Sequence, residues 1–555
     1  MNRYALTLPI ALLSAGCAVT SFPSEDVGST AQALTSPSPL FTVVGQADSG
    51  FIPPDTDGAV SASFIVSTVN NTINFKDRAG NELFNQSLFG FWSTMNPSTL
   101  TDPRVRFDPF GQRFVITESA DFPTVNGRLF IAVSKTQNPL DGFLFYQFPA
   151  SAAGNHWLDF PQPSTNSKWL VVTGTVEGTF ADPTTFTGMW VFDKSSLYSG
   201  GPARFTFLNT GFTPVPFPAE TYDATAQDMF VCRPGATGSD QVDLLRLSGA
   251  IGAETLTLVS TIASPLPTSL DGFFLPQAGG TPTRLFVSTA MSPGCVFRNN
   301  SIWVAQEVVP TTGPQRLAVQ WEQISPTGTL QSFGRVDDPT GVANYYFPAI
   351  AVNKNNEFIL GFSRFSADAF PSAAYAVHLS SDAPGTVEEP IVYHAGVGTY
   401  DFNRWGDFTH SQIDPVNDTD FWTIQEATQA TDSWVTWWAQ VKGTAATSVC
   451  TEASALDLGA PGNAVTVSTN ACLRVRDGFP FWWGTNRTLL LQDMSPGNYP
   501  VPFTWSNACS GGAGSDTYTG DWQSKSLTPT SSACAVLIQL QGTPTGQITL
   551  RYFGG

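Results

Sequence analysis

Seven short apolar strands recur along the middle of the chain, and this repeat limits the possible folds more than any other feature. Each strand follows a polar turn and opens with bulky apolar residues, and their first residues are numbers 64, 114, 170, 229, 285, 358 and 421. The steps of 50, 56, 59, 56, 73 and 63 residues each leave room for four short strands joined by tight hairpins. One four-stranded sheet cannot cover both of its own faces, so neighbouring sheets must cover each other. The repeat therefore predicts a seven-bladed β-propeller, with the apolar opening strands near its channel.

The composition supports an all-β chain and argues against one class of partner. Charged residues make up 13% of the 555 residues, whereas the chain has 48 Gly, 41 Pro and 42 Phe. Turn formers combined with aromatic residues favour strands over helices. A large β-sandwich or a β-helix is the alternative, but neither accounts for seven similar units. The formal net charge of -19 repels phosphate backbones, so we expect no nucleic-acid partner.

The first residues predict export and a lipid anchor. Residues 1–17 combine one early charge, a short apolar run and small residues directly before Cys17, as in a bacterial lipoprotein signal. A lipid on Cys17 would attach the protein to the outer membrane or cell surface, and we expect no other contact with a membrane. Ordinary cleavage and secretion is the alternative. Residues 18–44 are rich in Ser, Thr, Pro and Ala, which predicts a flexible tether before a propeller over residues 45–443.

Four segments of the predicted propeller occur in the order found in a known family. They are Pro53–Val60, Asp102–Asp108, Trp157–Pro161 and Trp405–Phe408. Together they resemble the sialidase-like (BNR-like) seven-bladed propellers of exported bacterial proteins, most of which are uncharacterised. The resemblance covers roughly residues 45–442, although the family's Asp-box has no clean copy here. It implies the propeller fold and leaves the activity open.

The C-terminal residues 444–555 are predicted to form a small β-sandwich stapled by disulfides. Apart from Cys17, the chain has six cysteines, an even number typical of exported proteins. We expect the pairs Cys232–Cys295, Cys450–Cys472 and Cys509–Cys534. Trp482 and Trp483 lie near expected loops, where they would either bind a sugar or fill the sandwich core.

The chemistry-bearing residues of the propeller are mainly aspartates near strand starts. Equivalent positions in successive blades should converge at the channel mouth, and these residues are Asp55, Asp57, Asp102, Asp159 and Asp407. Such carboxylates hold structural Ca²⁺ in many proteins, and Asp55 with Asp57 is the candidate metal pair. The alternative is that each aspartate caps its own turn. The turn residues around Asp414 are expected to be solvated.

No spacing selects a complete catalytic set. A sialidase-type site, which the resemblance implies, would need an arginine cluster, a Tyr–Glu pair and an acid–base Asp. The catalytic candidates are Asp57, Glu118, Tyr346, Arg404 and Asp407. The binding candidates are Arg104, Asp159, Trp482 and Trp483. The sequence therefore predicts a surface binding scaffold for a glycan or a protein, with a glycoside hydrolase or polysaccharide lyase as the alternative.

Overall fold

The computed structural model describes most of residues 35–443 and, beyond them, only the strands of the C-terminal region. The described range omits residues 153, 212–213, 236–240, 266–273, 280–282 and 285–293. Residues before 35, including Cys17, lie outside it.

Seven antiparallel sheets make up the propeller within the described range, and we number them as blades I to VII. Blade VII contains β1 (Phe41–Ala47) in addition to three strands from the end of the propeller. Blade I contains β2 (Asp57–Val60), β3 (Phe64–Val69), β4 (Thr72–Asp77) and β5 (Glu82–Ser87). Blade II contains β6 (Leu100–Asp108), β7 (Arg113–Ala120), β8 (Arg128–Ser134) and β9 (Phe143–Pro149). Blade III contains β10 (His156–Thr165), β11 (Trp169–Gly178), β12 (Phe186–Asp193) and β13 (Phe205–Asn209).

The later blades follow the same plan, with one added strand in blade V. Blade IV contains β14 (Phe217–Pro218), β16 (Met229–Pro234), β17 (Gln241–Ser248) and β18 (Thr255–Ala263). Blade V contains β21 (Gly294–Arg298), β22 (Ser301–Val308), β23 (Ala318–Ile324) and β24 (Leu330–Val336), with β15 (Glu220–Thr221) added in parallel beside β21. Blade VI contains β25 (Ala343–Val352), β26 (Phe358–Ser366), β27 (Ala369–His378) and β28 (Ile391–His394). Blade VII is completed by β29 (His410–Ile413), β30 (Phe421–Ala430) and β31 (Ser433–Val441). A separate short hairpin pairs β19 (Phe274–Leu275) with β20 (Thr283–Arg284).

The first strand of each blade lies at the channel, and these inner strands contact one another around a closed ring. The predicted opening strands are instead the second strands of their blades, so their expected place beside the channel is wrong. Their apolar side chains pack between blades, as Leu170 and Val172 of blade III do against Val115 and Leu129 of blade II. In blade V the second strand is β22, whereas the predicted strand at residue 285 lies outside the described residues.

The ring is closed by residues from both ends of the propeller. Strand β1 is the outermost strand of blade VII and pairs antiparallel with β31. Ser36, five residues before β1, is buried, and its hydroxyl oxygen accepts from Val377 N of blade VI at 3.1 Å. Residues 35–44, predicted as the end of a tether, therefore belong to the folded ring. The physical reason is that ring closure needs an outer strand, and β1 supplies it.

The remaining elements are short. Two helices, α1 (Leu88–Phe91) and α2 (Lys194–Tyr198), follow outer or third strands, and 3₁₀ turns cover Ser93–Met95 and Pro139–Asp141. The predicted disulfide Cys232–Cys295 is confirmed, and it joins β16 of blade IV to β21 of blade V. Across the described residues, we find no helix with the length and apolar character to cross a membrane.

Two sheets are described after residue 443. The first contains β32 (Leu456–Asp457), β34 (Cys472–Val475), β39 (Val536–Leu540), β36 (Val501–Asn507) and β37 (Ala513–Tyr518). The second contains β33 (Ala464–Ser468), β40 (Gln547–Gly554), β35 (Leu489–Asp493) and β38 (Ser524–Leu527). The region is therefore all-β as predicted, while the sandwich packing and the pairs Cys450–Cys472 and Cys509–Cys534 stay predictions.

Candidate functional site

A buried ion-pair network crosses the channel between inner strands. Asp57 of β2 is fully buried, and its carboxylate accepts from Arg104 Nε and, at 2.9 and 3.1 Å, from Arg106 Nη1. Arg106 Nε also pairs with Glu220 Oε1 at 2.5 Å, and Arg104 Nη1 donates to Gln162 Oε1 at 2.6 Å. Burial would raise the pKa of Asp57, but Arg104 and Arg106 lower it below its ordinary value. Asp57 is therefore an ionised partner that links blades I and II.

His410 extends this network to blade VII. Its Nδ1 lies 2.6 Å from Gly58 O, and its Nε2 lies 3.0 Å from Glu220 Oε1. Burial would raise the pKa of Glu220, but Arg106 and His410 lower it, so this carboxylate is ionised. His410 thus links its own strand β29 of blade VII to strand β2 of blade I and to strand β15 of blade V.

The space beside the network is too small for a sugar ring. The cavity has a volume of about 50 Å³, and Arg104, Glu220, Cys295, Ile350 and Phe408 are among its walls. A water molecule needs on the order of 10–15 Å³ of such volume, so the cavity holds a few waters at most. The Arg104 guanidinium also stacks on the Phe408 ring, 4.0 Å from its centroid. Arg104 and Asp57, predicted as binding and catalytic candidates, are brought together here in a structural role.

A second group of charged residues lies where the inner strands begin, a side of the ring that we call the upper face. Four of the five predicted aspartates converge there, and we call Asp55, Asp102, Asp159 and Asp407 the acidic mouth. The Asp102 carboxyl is close enough to those of Asp55 and Asp159 to help raise the pKa of both, and its Oδ2 accepts from Phe160 N at 2.7 Å.

Burial and mutual repulsion keep protons on the acidic mouth. Burial, followed by Asp102 and Glu177, raises the pKa of Asp159 to about 8. Burial also raises the pKa of Asp407 to about 7, although Arg404 pairs with this carboxyl and opposes the shift. The mouth therefore exchanges protons near neutral pH, where a group of ordinary pKa would be fully ionised.

A repeated backbone feature aims these side chains at the channel axis. Asp55, Asp102 and Asp407 have left-handed φ values of 53°, 59° and 70°, which aspartate tolerates better than most residues. Strands β6, β10 and β25 each carry a β-bulge at this level, immediately around an X-Pro pair. The extra residue of a bulge turns the local side chains away from the regular alternation. The recurring X-Pro pair was a sequence signal for this feature that the repeat alignment did not use.

A half-exposed patch of side chains on blade III includes Asp159 of the acidic mouth. Trp157 and Asp159 stand two residues apart on β10, and they pair with Glu177 and Thr175 of β11. All four side chains are half-buried, so solvent reaches each of them. The Phe122 ring lies 5.8 Å from that of Trp157, centroid to centroid, and completes an aromatic platform. The patch thus combines aromatic rings with two carboxyl groups, a combination that sequence analysis missed.

Other predicted site residues have structural surroundings or lie outside the described residues. Glu118 is fully buried, and its Oε2 accepts from Trp92 Nε1 at 3.0 Å. Tyr346 is fully buried against Phe347. Arg404 alone among these candidates is substantially accessible, with 39% of its side chain exposed. The predictions outside the described residues or side chains concern Cys17, Cys450, Cys472, Cys509, Cys534, Trp482 and Trp483.

The predicted metal pair does not form an oxygen cage. Arg104 and Arg106 occupy the Asp57 carboxylate, while Asp55 belongs to the acidic mouth. Within the described parts of the chain, no three His, Cys, Asp or Glu side chains are grouped so that they could hold a metal ion. Calcium elsewhere in the protein stays a prediction, and unchanged thermal unfolding in EDTA would contradict it.

The prediction that the turn residues Asp414, Asn417, Asp418 and Asp420 are solvated is wrong for Asp414, whereas Asn417 is exposed and Asp418 and Asp420 are half-buried. Asp414 is 1% exposed, pairs with Arg78 and accepts from Trp422 Nε1 at 3.0 Å. Arg78 lies 336 positions away along the chain, so a local reading of the turn does not reveal this pairing.

Comparisons with known proteins find only solved structures of low similarity. No family model matches the chain, and no curated protein matches its sequence. An exo-β-1,3-galactanase from Phanerochaete chrysosporium is similar at 10% identity and a TM-score of 0.28, over 92% of this chain and 99% of that one. A hypothetical selenium-binding protein from Sulfolobus tokodaii has 11% identity and a TM-score of 0.40, over 60% and 76%. An endo-arabinase from Bacteroides thetaiotaomicron has 12% identity and a TM-score of 0.27, over 54% and 95%. These values leave the function to be argued from the site itself.

Proposed function

We propose that this protein is an exported, lipid-anchored propeller that binds a glycan on its upper face. The observation that carries the proposal is the half-exposed patch on blade III, where the Trp157 ring contacts that of Phe122 and Asp159 and Glu177 lie on the paired strands β10 and β11. A sugar ring stacks its apolar face on an aromatic ring, and carboxyl groups bind its hydroxyls. In contrast, Arg104 and Arg106 are buried and paired, so they do not offer a sialidase-type arginine cluster.

A glycan array probed with the full chain tests this function. Replacing Trp157 with Ala should weaken binding at least about tenfold, because stacking on one ring is worth on the order of 1 kcal/mol or more. Phe89→Ala is the matched control, since Phe89 is 48% exposed on α1, beside the outer strands of blade I. Equal binding by the wild type and Trp157→Ala would contradict the proposed site. If the protein binds no glycan on the array but binds a protein partner, the result would favour a scaffold for proteins instead.

A carbohydrate-active enzyme is the second candidate, and the acidic mouth favours it. Asp159, with its pKa of about 8, keeps a proton at neutral pH and is able to donate it to a leaving group. Turnover of polysaccharides by the full chain, lost in Asp159→Asn while binding persists, would establish the enzyme. Binding without turnover of any bound polysaccharide would support the scaffold.

The export and anchoring part of the proposal rests on residues 1–17. The precursor, which is normally cleaved before Cys17, should accumulate uncleaved in cells treated with globomycin, which blocks processing of lipoprotein precursors. Cys17→Ser should have the same effect on processing. Normal processing of the Cys17→Ser precursor would indicate ordinary secretion instead.

A further inference from the structure

A second cavity opens at the upper end of blade II, and we call it the blade II pocket. Its volume is about 280 Å³, and its walls come from the start of β8, the end of β9 and the loop residues 125–127, 150 and 154. A cavity of about 150 Å³ is large enough to bind a benzene ring. The blade II pocket is therefore large enough for a six-membered sugar ring, unlike the channel cavity of about 50 Å³.

Two side-chain amides form the polar part of the walls. Asn126 and Gln147 are both exposed, and Gln147 Oε1 accepts a hydrogen bond from Arg128 Nη1. Within the described residues, neither NH₂ group donates to another protein group. An amide offers donors and an acceptor, as a sugar hydroxyl also does. The pocket thus presents free donors to a ligand rich in hydroxyl groups.

The pocket offers a ligand little net charge. Among its described wall residues, Arg128 alone is charged, and its Nε pairs with Asp121. Arg128 also donates from Nη1 to Met95 O at 3.1 Å and from Nη2 to Asn96 O at 3.3 Å. Burial would raise the pKa of Asp121, but hydrogen bonds from Arg128 and Ser98 lower it below its ordinary value. The ionised Asp121 carboxylate therefore offsets the charge of Arg128.

The remaining walls are mainly apolar and firmly packed. Phe148, Pro149 and Ala150 follow one another at the end of β9. The Phe148 ring is 8% exposed, and its centroid lies 4.7 Å from that of Phe192 and 5.1 Å from that of Phe205. Apolar walls with a few placed polar groups are typical of small-molecule sites. The pocket has this composition without any change in the packing around it.

The pocket adjoins the aromatic patch that carries the proposed function. Gly127 N donates to His156 O at 3.1 Å, and a Cβ at position 127 would collide with Trp157 Cα. Glycine permits this close approach of two backbones. The Phe122 ring, which contacts that of Trp157, belongs to the same loop as Asn126 and Gly127. Pocket and patch thus share one loop, so a single ligand chain is able to contact both.

We propose that the blade II pocket is a second sugar subsite, which binds a further unit of a neutral oligosaccharide stacked on Trp157. The inference rests on the proposed glycan-binding function and names the class of glycan. A neutral chain suits the pocket because its amides bind hydroxyls and its charge is already balanced. A monosaccharide occupies only one of the two places, so affinity should rise with chain length.

Calorimetry on the full chain tests this dependence on length and charge. The probes are xylose, galactose and N-acetylglucosamine as monomers and tetramers, with the galacturonic acid tetramer as the acidic comparison. We expect one neutral tetramer or more to bind at least about tenfold more tightly than its monomer, corresponding to about 1.4 kcal/mol. The acidic tetramer should bind more weakly than that neutral tetramer, because Asp121 leaves Arg128 little charge to offer.

Variants assign the gain in affinity to the pocket. The double variant Asn126→Ala, Gln147→Ala should weaken binding of the tetramer at least about fivefold, because it removes hydrogen bonds worth on the order of 1 kcal/mol, and it should leave the monomer unaffected. Asn126→Ala alone disturbs no side-chain hydrogen bond within the described residues, so it serves if the double variant folds poorly. Trp157→Ala should weaken both probes. Gln86→Ala is the matched control, since Gln86 is an exposed amide on β5 of blade I.

Three results would overturn the inference, and they differ from failure of the proposed function. If every tetramer binds no more tightly than its monomer, or if the pocket variants keep the dependence on chain length, the pocket is no subsite although glycan binding stands. Tighter binding of the acidic tetramer than of every neutral one would refute the neutral class. If none of the neutral probes binds, the inference fails, and the glycan array decides separately whether the glycan-binding function fails with it.

Discussion

Replacing Asp57 with Asn should destabilise the propeller more than an ordinary surface change. Asp57 is fully buried and accepts hydrogen bonds from both Arg104 and Arg106. Asn keeps the size of the side chain but removes its charge, and its NH₂ group is a donor facing donors. The variant therefore leaves two buried guanidinium groups without their shared partner.

The expected size of this effect follows from the remaining contacts. Removing one partner from a buried ion pair costs about 3–5 kcal/mol. Glu220 still pairs with Arg106 at 2.5 Å, and Gln162 still accepts from Arg104, so the loss should fall near the lower end, at about 3 kcal/mol. Adding Arg104→Met should restore part of the loss, because the double variant removes one of the unpaired charges.

Urea unfolding followed by tryptophan fluorescence measures the loss. Asp401→Asn is the control, since Asp401 is exposed and its replacement should leave the transition midpoint unchanged. A loss below about 1 kcal/mol in Asp57→Asn would refute the reasoning, because the network would then contribute no more than a surface ion pair. Equal losses in the single and double variants would also contradict it.

Three further predictions concern the whole propeller. Asp159 and Asp407 should make stability fall as pH rises from about 5 to 8, because the folded state holds their protons up to about pH 8 and 7, whereas the unfolded chain loses them near pH 4. Urea unfolding of Asp159→Asn and Asp407→Asn should show a shallower decline of stability with pH, and an unchanged slope would contradict the raised pKa values. Replacing both Cys232 and Cys295 with Ala should cost about 4 kcal/mol, as expected for a cross-link spanning 63 residues, and a loss no larger than that of a single buried Cys→Ala change would count against it. Removing residues 41–47 should lower the melting temperature, because β1 closes blade VII, and an unchanged melting curve would show that the ring closes without it.

The fold was predictable because its signal is repeated. Six of the seven predicted strands coincide with second strands, such as those that contain Phe114 and Phe358, and their recurrence with their turns reveals blades that no single copy would. The ring's closing strand was not predictable in the same way. Residues 41–47 contain one short apolar run after a Pro- and Ser-rich stretch, and only pairing with β31 distinguishes them from a tether.

The candidate site was predictable where it follows the repeat and not where it depends on single residues. Asp55, Asp102 and Asp407 share a left-handed backbone conformation near the start of the inner strands of neighbouring blades. Glu220, in contrast, comes from a linker strand of blade V that has no counterpart in the other blades. Its contact with His410 joins residues 190 positions apart, which no local spacing indicates. Contacts of this kind depend on how the ring closes.

The most direct test of the central claim is a crystal structure of the full chain with a bound oligosaccharide from the array. The account predicts a sugar ring stacked against Trp157, with a ligand hydroxyl within about 3 Å of the Asp159 carboxyl. A ligand bound only to the residues after 443, or at the outer edge of a blade, would contradict it.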